Sequence, residues 1–85
     1  MSQKKKLLKK FLERSGSLSF AEIQVLLFFI GFNLESVRGS HYKFYHPYFK
    51  TIFTIPVHHG DCKVCYKTNI LKFIILHNLH IIYQL

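Results

Sequence analysis

Apolar residues recur with a helical period at the start of the chain. Within residues 4–14, Leu7, Leu8, Phe11 and Leu12 fall on one stripe flanked by Lys5, Lys6, Lys9, Lys10 and Arg14, which predicts a short amphipathic helix. Ser15-Gly16-Ser17 then interrupts it as a loop. Ser19 followed three residues later by Glu22 is a capping box, and Leu18 is placed to staple onto Ile23. The helix opened there sets Ile23, Leu26, Leu27 and Ile30 on one face. It stops at Gly31, which takes left-handed backbone angles without a side-chain penalty, and Phe32 is available for the hydrophobic contact after the cap.

Beyond Phe32 the period shortens to two. Residues 33–38 read as a strand closed by Gly39-Ser40. Residues 41–48 read as a second strand, with Tyr42 and Phe44 on one face and His41, Lys43 and Tyr45 on the other. Residues 51–57 read as a third, with Phe53, Ile55 and Val57 facing together and Pro56 marking an edge or a strand end. Short connections favour a three-stranded antiparallel meander. Residues 58–66, HHGDCKVCY, read as a polar loop, and a helix is expected from Thr68 onward with Thr68 as its N-cap. The β-branched residues Ile70, Ile74, Ile75, Ile81 and Ile82 pull that segment toward strand. It is apolar nearly all round, so burial is expected against two surfaces: the sheet, and either the first helix or a partner chain. The expected order is α-α-β-β-β-α, an α+β domain with helices on one sheet face and the other face open.

Length and charge narrow this picture. Eighty-five residues fill one core, so residues 1–85 are expected to be a single domain, with 1–16 a basic helix and linker and 17–85 the core. A hydrophobic fraction of 49% argues against disorder. Twelve Lys and Arg against four Asp and Glu give +8, which attracts polyanions: nucleic acid, a membrane surface or an acidic protein. The apolar run 23–32 is shorter than the roughly 20 residues a membrane span needs, and the tail is broken by Lys72, His77, Asn78 and His80. The basic N-terminal segment lacks a cleavage signature. A soluble, cytoplasmic protein with no membrane partner is expected.

Cys62 and Cys65 form a lone C-x-x-C, which supplies two ligands where a structural zinc site takes four. Reduced loop cysteines are the expectation, with adventitious metal beside His58 or His59, or redox chemistry, as the rivals. His77 and His80 have metal-ligand spacing but no third partner in view. No cofactor is expected.

The densest local signal is Arg38-Gly39-Ser40-His41-Tyr42-Lys43-Phe44-Tyr45-His46-Pro47. Gly39 permits a tight turn or close approach to a phosphate, and Ser40 can donate to a phosphate oxygen. His41 opens a strand and shares its face with Lys43. RNA cleavage needs a base for the 2′-hydroxyl proton, cations for the charge gathering on phosphorus oxygens, and an acid for the departing 5′-oxygen. Histidine, with an ordinary pKa of about 6.5, suits such proton transfer at cellular pH. A histidine at a strand start is more often solvated or structural, however, so the residues alone leave the choice open. Ile55-Pro56-Val57-His58-His59-Gly60 ends the adjacent strand and can bring a second imidazole toward the first. Exposed Tyr42, Tyr45 or Tyr48 can stack unpaired bases, though aromatics at such positions more often pack in a core. The lysine run is read either as a solvated face or as an RNA-backbone contact through Lys9 and Lys10.

Residues 19–66 resemble the HicA toxins, also described as YcfA-like proteins. The helix ending in LLFFIGF, the VRGSHYKF strand and the IPVHHG strand end stand in that family's order and spacing. The resemblance implies a fold like a double-stranded-RNA-binding domain, mRNA cleavage independent of the ribosome, and silencing by a HicB-type antitoxin. It implies that the catalytic histidine is His41. The family's His-Gly element matches His58 or His59 with Gly60, and His58 is taken as the partner of His41. Arg38, Gly39, Ser40 and Lys43 are expected to hold the phosphate. Two other classes remain: a module of the same fold that binds RNA without cutting it, and an interaction subunit that docks a partner through the apolar C-terminal helix.

Overall fold

In the computed structural model, which describes residues 3–83, the capping box is formed as its spacing requires. The Glu22 amide donates to Ser19 Oγ at 3.3 Å and the Ser19 amide donates to Glu22 Oε1 at 3.0 Å. The helix this opens, α2 (Phe20–Phe29), follows α1 (Gln3–Glu13). Leu18 and Ile23 are both fully buried, as a staple across the cap demands. At the other end Phe32 N–H reaches the Leu27 carbonyl and Gly31 N–H the Phe28 carbonyl, the Schellman arrangement that satisfies orphan carbonyls. Gly31 sits at φ +104°. Residues 1 and 2 of the basic segment, and 84 and 85 of the apolar tail, lie outside the described residues.

Lysines 4–6 in the first turns of α1 run against the helix dipole, so tertiary packing has to hold this helix. It does so by burying Leu8 and Phe11 completely beside α2. Ser15–Ser17, expected as a loop, winds into a 3₁₀ turn.

Three strands follow: β1 (Asn33–Arg38), β2 (His41–His46) and β3 (Thr51–Pro56). They form an antiparallel sheet in the order β1-β2-β3, the expected meander. A two-residue turn, Gly39-Ser40 with Gly39 at φ +60°, joins β1 to β2. A bulge between Leu34 and Ser36 shifts the register of β1.

The inner face of β2 carries Tyr42, Phe44 and His46. Phe20 and Phe28 of α2 pack onto Tyr42 and Phe44, with ring centroids 4.8 Å apart for Phe20 and Tyr42 and 6.1 Å for Phe28 and Phe44. Phe32, Phe53 and Phe73 form a second cluster around His46, with centroids within 5.7 Å of one another. This is where the abundance of phenylalanine goes: edge-on and tilted rings join the sheet to the C-terminal helix.

That helix, α3 (Val64–Leu76), departs from expectation in three ways. It starts four residues before Thr68, with Lys63 at the cap position and no side-chain cap bond. Cys65 therefore stands in its first turn rather than in a loop. It ends at His77 because Asn78 turns left-handed, at φ +56°, and α4 (Leu79–Ile82) follows. It also buries one face, Lys67, Ile70, Phe73 and Ile74, while Ile75 and Leu76 are 51% and 74% exposed. On its other side α3 meets the N-terminal segment at Ser15–Ser17, where Lys67 reaches the Gly16 carbonyl. No helix among them is long and apolar enough to cross a membrane.

Candidate active site on the open sheet face

With the helices on the inner face, the outer face of the sheet is left to solvent. The strand register sets two rows across it. Arg38, His41 and Pro56 are ladder partners in one row; Ser36, Lys43 and Thr54 are partners in the next. Five of these six, all but Pro56, line a shallow hollow of about 260 Å³. His41 and Arg38 are exposed and Lys43 is half-buried. The hollow thus offers an imidazole, two fixed cations and two hydroxyls within one span of sheet, a donor set suited to a phosphodiester.

Lys43 is not idle. Its ammonium lies 3.6 Å from Glu35 Oε2, and the bulge in β1 is what puts Glu35 next to it. A bound phosphate would compete with that carboxylate for Lys43. Gly39 and Ser40 form the turn that enters His41, and a Cβ on Gly39 would meet nothing within 4 Å. The turn is therefore open to a ligand. The Ser40 carbonyl accepts from the Val57 amide at 2.7 Å, which continues the β2-β3 ladder past Pro56.

His58 is not in this hollow. It begins a tight turn in which His59 and Gly60 both have positive φ, +54° and +77°, and the His58 amide and carbonyl pair with those of Asp61. His58 lines a second hollow of about 470 Å³ with Pro56, Asp61, Cys62, Lys63 and Tyr66. Pro56 is the ladder partner of His41, so the two hollows adjoin.

Lys9 and Lys10 stand in the helical layer, apart from the sheet-face group. Lys10 lies 3.5 Å from Glu22 Oε2, an exposed pair worth about 0–1 kcal/mol. The Ser19 backbone N–H, with Lys10, holds the Glu22 carboxyl below its ordinary pKa. Of the tyrosines, Tyr42 packs edge-on against Phe20, Tyr45 is half-buried on the outer face, and Tyr48 is 80% exposed.

Sequence reasoning missed Ser36 and Thr54, whose place beside Lys43 follows only from the register. It also missed Lys67, whose side chain is 2% exposed although it carries a charge. Its ammonium lies 3.1 Å from Asp61 Oδ1 and donates to the Gly16 carbonyl at 3.3 Å. The Cys62 amide donates to the same Asp61 oxygen at 2.8 Å. That backbone bond first, and Lys67 second, hold the Asp61 carboxyl below its ordinary range. Cys62 is buried and Cys65 exposed, both as free thiols; burial pushes the Cys62 thiol up, away from the reactive thiolate. Among the described residues, no three His, Cys, Asp or Glu side chains gather so as to hold a metal ion.

A comparison with protein families matches residues 20–73, well over half the chain, to the model described as HicA toxin of bacterial toxin-antitoxin. No curated protein and no solved structure matched.

Proposed function

Because this chain belongs to the HicA toxins of bacterial toxin–antitoxin systems, we propose that its toxicity is that of a metal-independent endoribonuclease acting on mRNA from the outer face of the sheet. The observation that carries this reading is the pair of rows that gathers Arg38, His41 and Lys43 with the hydroxyls of Ser36 and Thr54 in one hollow. In the proposed reaction His41 takes the proton of a ribose 2′-hydroxyl, which attacks the neighbouring phosphorus. Arg38 and Lys43 stabilise the charge on the phosphorus oxygens, and Gly39 and Ser40 admit the phosphate at the turn. His58, in the adjoining hollow, protonates the departing 5′-oxygen. The attacking oxygen belongs to the substrate, so the products end in 2′,3′-cyclic phosphates. A HicB-type antitoxin silences the toxin by covering this basic face with an acidic surface.

The test is to incubate the purified protein with a long RNA, with and without chelator. Cleavage that withstands chelation is expected, and His41→Ala should slow it by about 100- to 10,000-fold while RNA is still bound. Near wild-type cutting by His41→Ala would sink the assignment. Binding of RNA by the wild type without any cutting would favour a non-catalytic module.

A further inference from the structure

The larger hollow, beside His58, has features that the proposed reaction does not use. Pro56 on its rim is the ladder partner of His41, which lines the smaller hollow. Two residues of extended chain, about 6.6 Å, separate Pro56 from His58, a distance comparable to the reach from a phosphate across one ribose to its base. Its volume, about 470 Å³, lies in the range of small-molecule sites rather than of surface dimples. Tyr66, half-buried at the start of α3, supplies an aromatic wall, and Lys63 adds a cation.

Asp61 is the group that would discriminate between ligands. Its Oδ1 is committed twice over, to the Cys62 amide and to the buried Lys67 ammonium. Those two bonds fix the carboxylate, and among the described residues Oδ2 makes no hydrogen bond. An ionised carboxylate only accepts. Cytosine seated with its exocyclic amino group toward Oδ2 can donate to it, whereas uracil in the same pose turns a carbonyl oxygen to the carboxylate and is repelled.

We propose that the hollow between Pro56 and Tyr66 is a nucleobase subsite, in which Tyr66 stacks the base next to the phosphate held by Arg38 and Lys43 while Asp61 accepts a hydrogen bond from that base's amino group. Cytosine is preferred over uracil. This rests on RNA being the ligand of the adjoining hollow.

Cytosine and uracil make the cleanest comparison, since both are pyrimidines and differ by amino against carbonyl at one ring position. The full chain carrying His41→Ala would be titrated with fluorescent oligocytidine and oligouridine. Oligocytidine should bind about tenfold more tightly, the order of one hydrogen bond to a charged group. Adding Asp61→Asn keeps an oxygen for Lys67 and gives uracil a donor, so the preference should vanish. Adding Tyr66→Ala should weaken both ligands by roughly 5- to 150-fold. Sequencing the ends cut by the wild-type protein gives a second reading that needs no variant: one position flanking the cut should be depleted in uracil. Equal affinity for the two oligonucleotides in the parent, or a preference that survives Asp61→Asn in a folded protein, overturns the subsite. Preferential binding of oligocytidine by a protein that never cuts RNA would uphold the subsite and remove the nuclease reading instead.

Discussion

His46 Nε2 lies 2.8 Å from the carbonyl oxygen of Ile30, tying the middle strand to the end of α2. The Phe49 amide donates to His46 Nδ1 at 3.3 Å, which leaves Nε2 to donate to the Ile30 carbonyl, so both ring nitrogens are used. His41, five residues earlier on the same strand, faces solvent. The two substitutions should therefore separate: His46→Ala should cost about 2–4 kcal/mol through a cavity and an orphaned carbonyl, and His41→Ala no more than about 0.5 kcal/mol. Gly31→Ala should resemble His46→Ala, because a Cβ there would come within 2.7 Å of His46 Nε2 at a φ of +104°. Thermal unfolding of the three variants checks this; equal losses for His41→Ala and His46→Ala would contradict it.

In the proposed reaction a phosphate has to displace Glu35 from Lys43. The pair is exposed, so releasing it should be worth under about 1 kcal/mol. Glu35→Gln is expected to tighten RNA binding by roughly 2- to 5-fold with little change in stability. Weaker binding would show that Glu35 positions Lys43 for the ligand rather than withholding it.

Acid should loosen the fold through two carboxylates. Asp61 and Glu22 both have folded-state pKa values below their ordinary 3.8 and 4.5. Their contribution to stability is present in full above those values and is lost as pH falls through the lowered ones. The thermal midpoint of the wild type should drop more steeply below about pH 4 than that of a variant carrying both Asp61→Asn and Glu22→Gln. Parallel curves would show that neither group is linked to folding.

For the lysines of α1, the salt dependence of RNA binding is the deciding measurement. If Lys9 and Lys10 contact phosphates, replacing both with glutamine should lower the slope of log affinity against log salt by roughly 1.4, at about 0.7 per single-strand phosphate. An unchanged slope would assign them to the helical layer alone, with Lys10 serving Glu22.

Features read correctly from the sequence were local ones. Ser19 with Glu22, and Gly31 before Phe32, mark both ends of α2 because caps are made by residues a few positions apart. Alternation in residues 41–46 and 51–56 fixes both strand faces, since the pleat has a period of two. The start of α3 is not legible: Lys63 makes no side-chain cap, and the capping oxygen that the sequence offers, Thr68, lies inside the helix. Lys67 was illegible for a different reason, as its carbonyl partner Gly16 is 51 residues away and nothing local marks a lysine as buried. His41 and His46 look alike as residue types and are told apart only by parity along the strand. The sequence carried His41 as a candidate, whereas its neighbours Ser36 and Thr54 needed the ladder.

The alternation along β2 has an evolutionary reading. Tyr42, Phe44 and His46 are tied into the core, and a change at any of them has to be absorbed by the rings packed around it. Residues 41, 43 and 45 hang from the same backbone on the outer face, outside the buried core. Selection can therefore retune the chemistry of one side of this strand, or disarm it, without renegotiating the packing on the other. A disarmed copy would still fold.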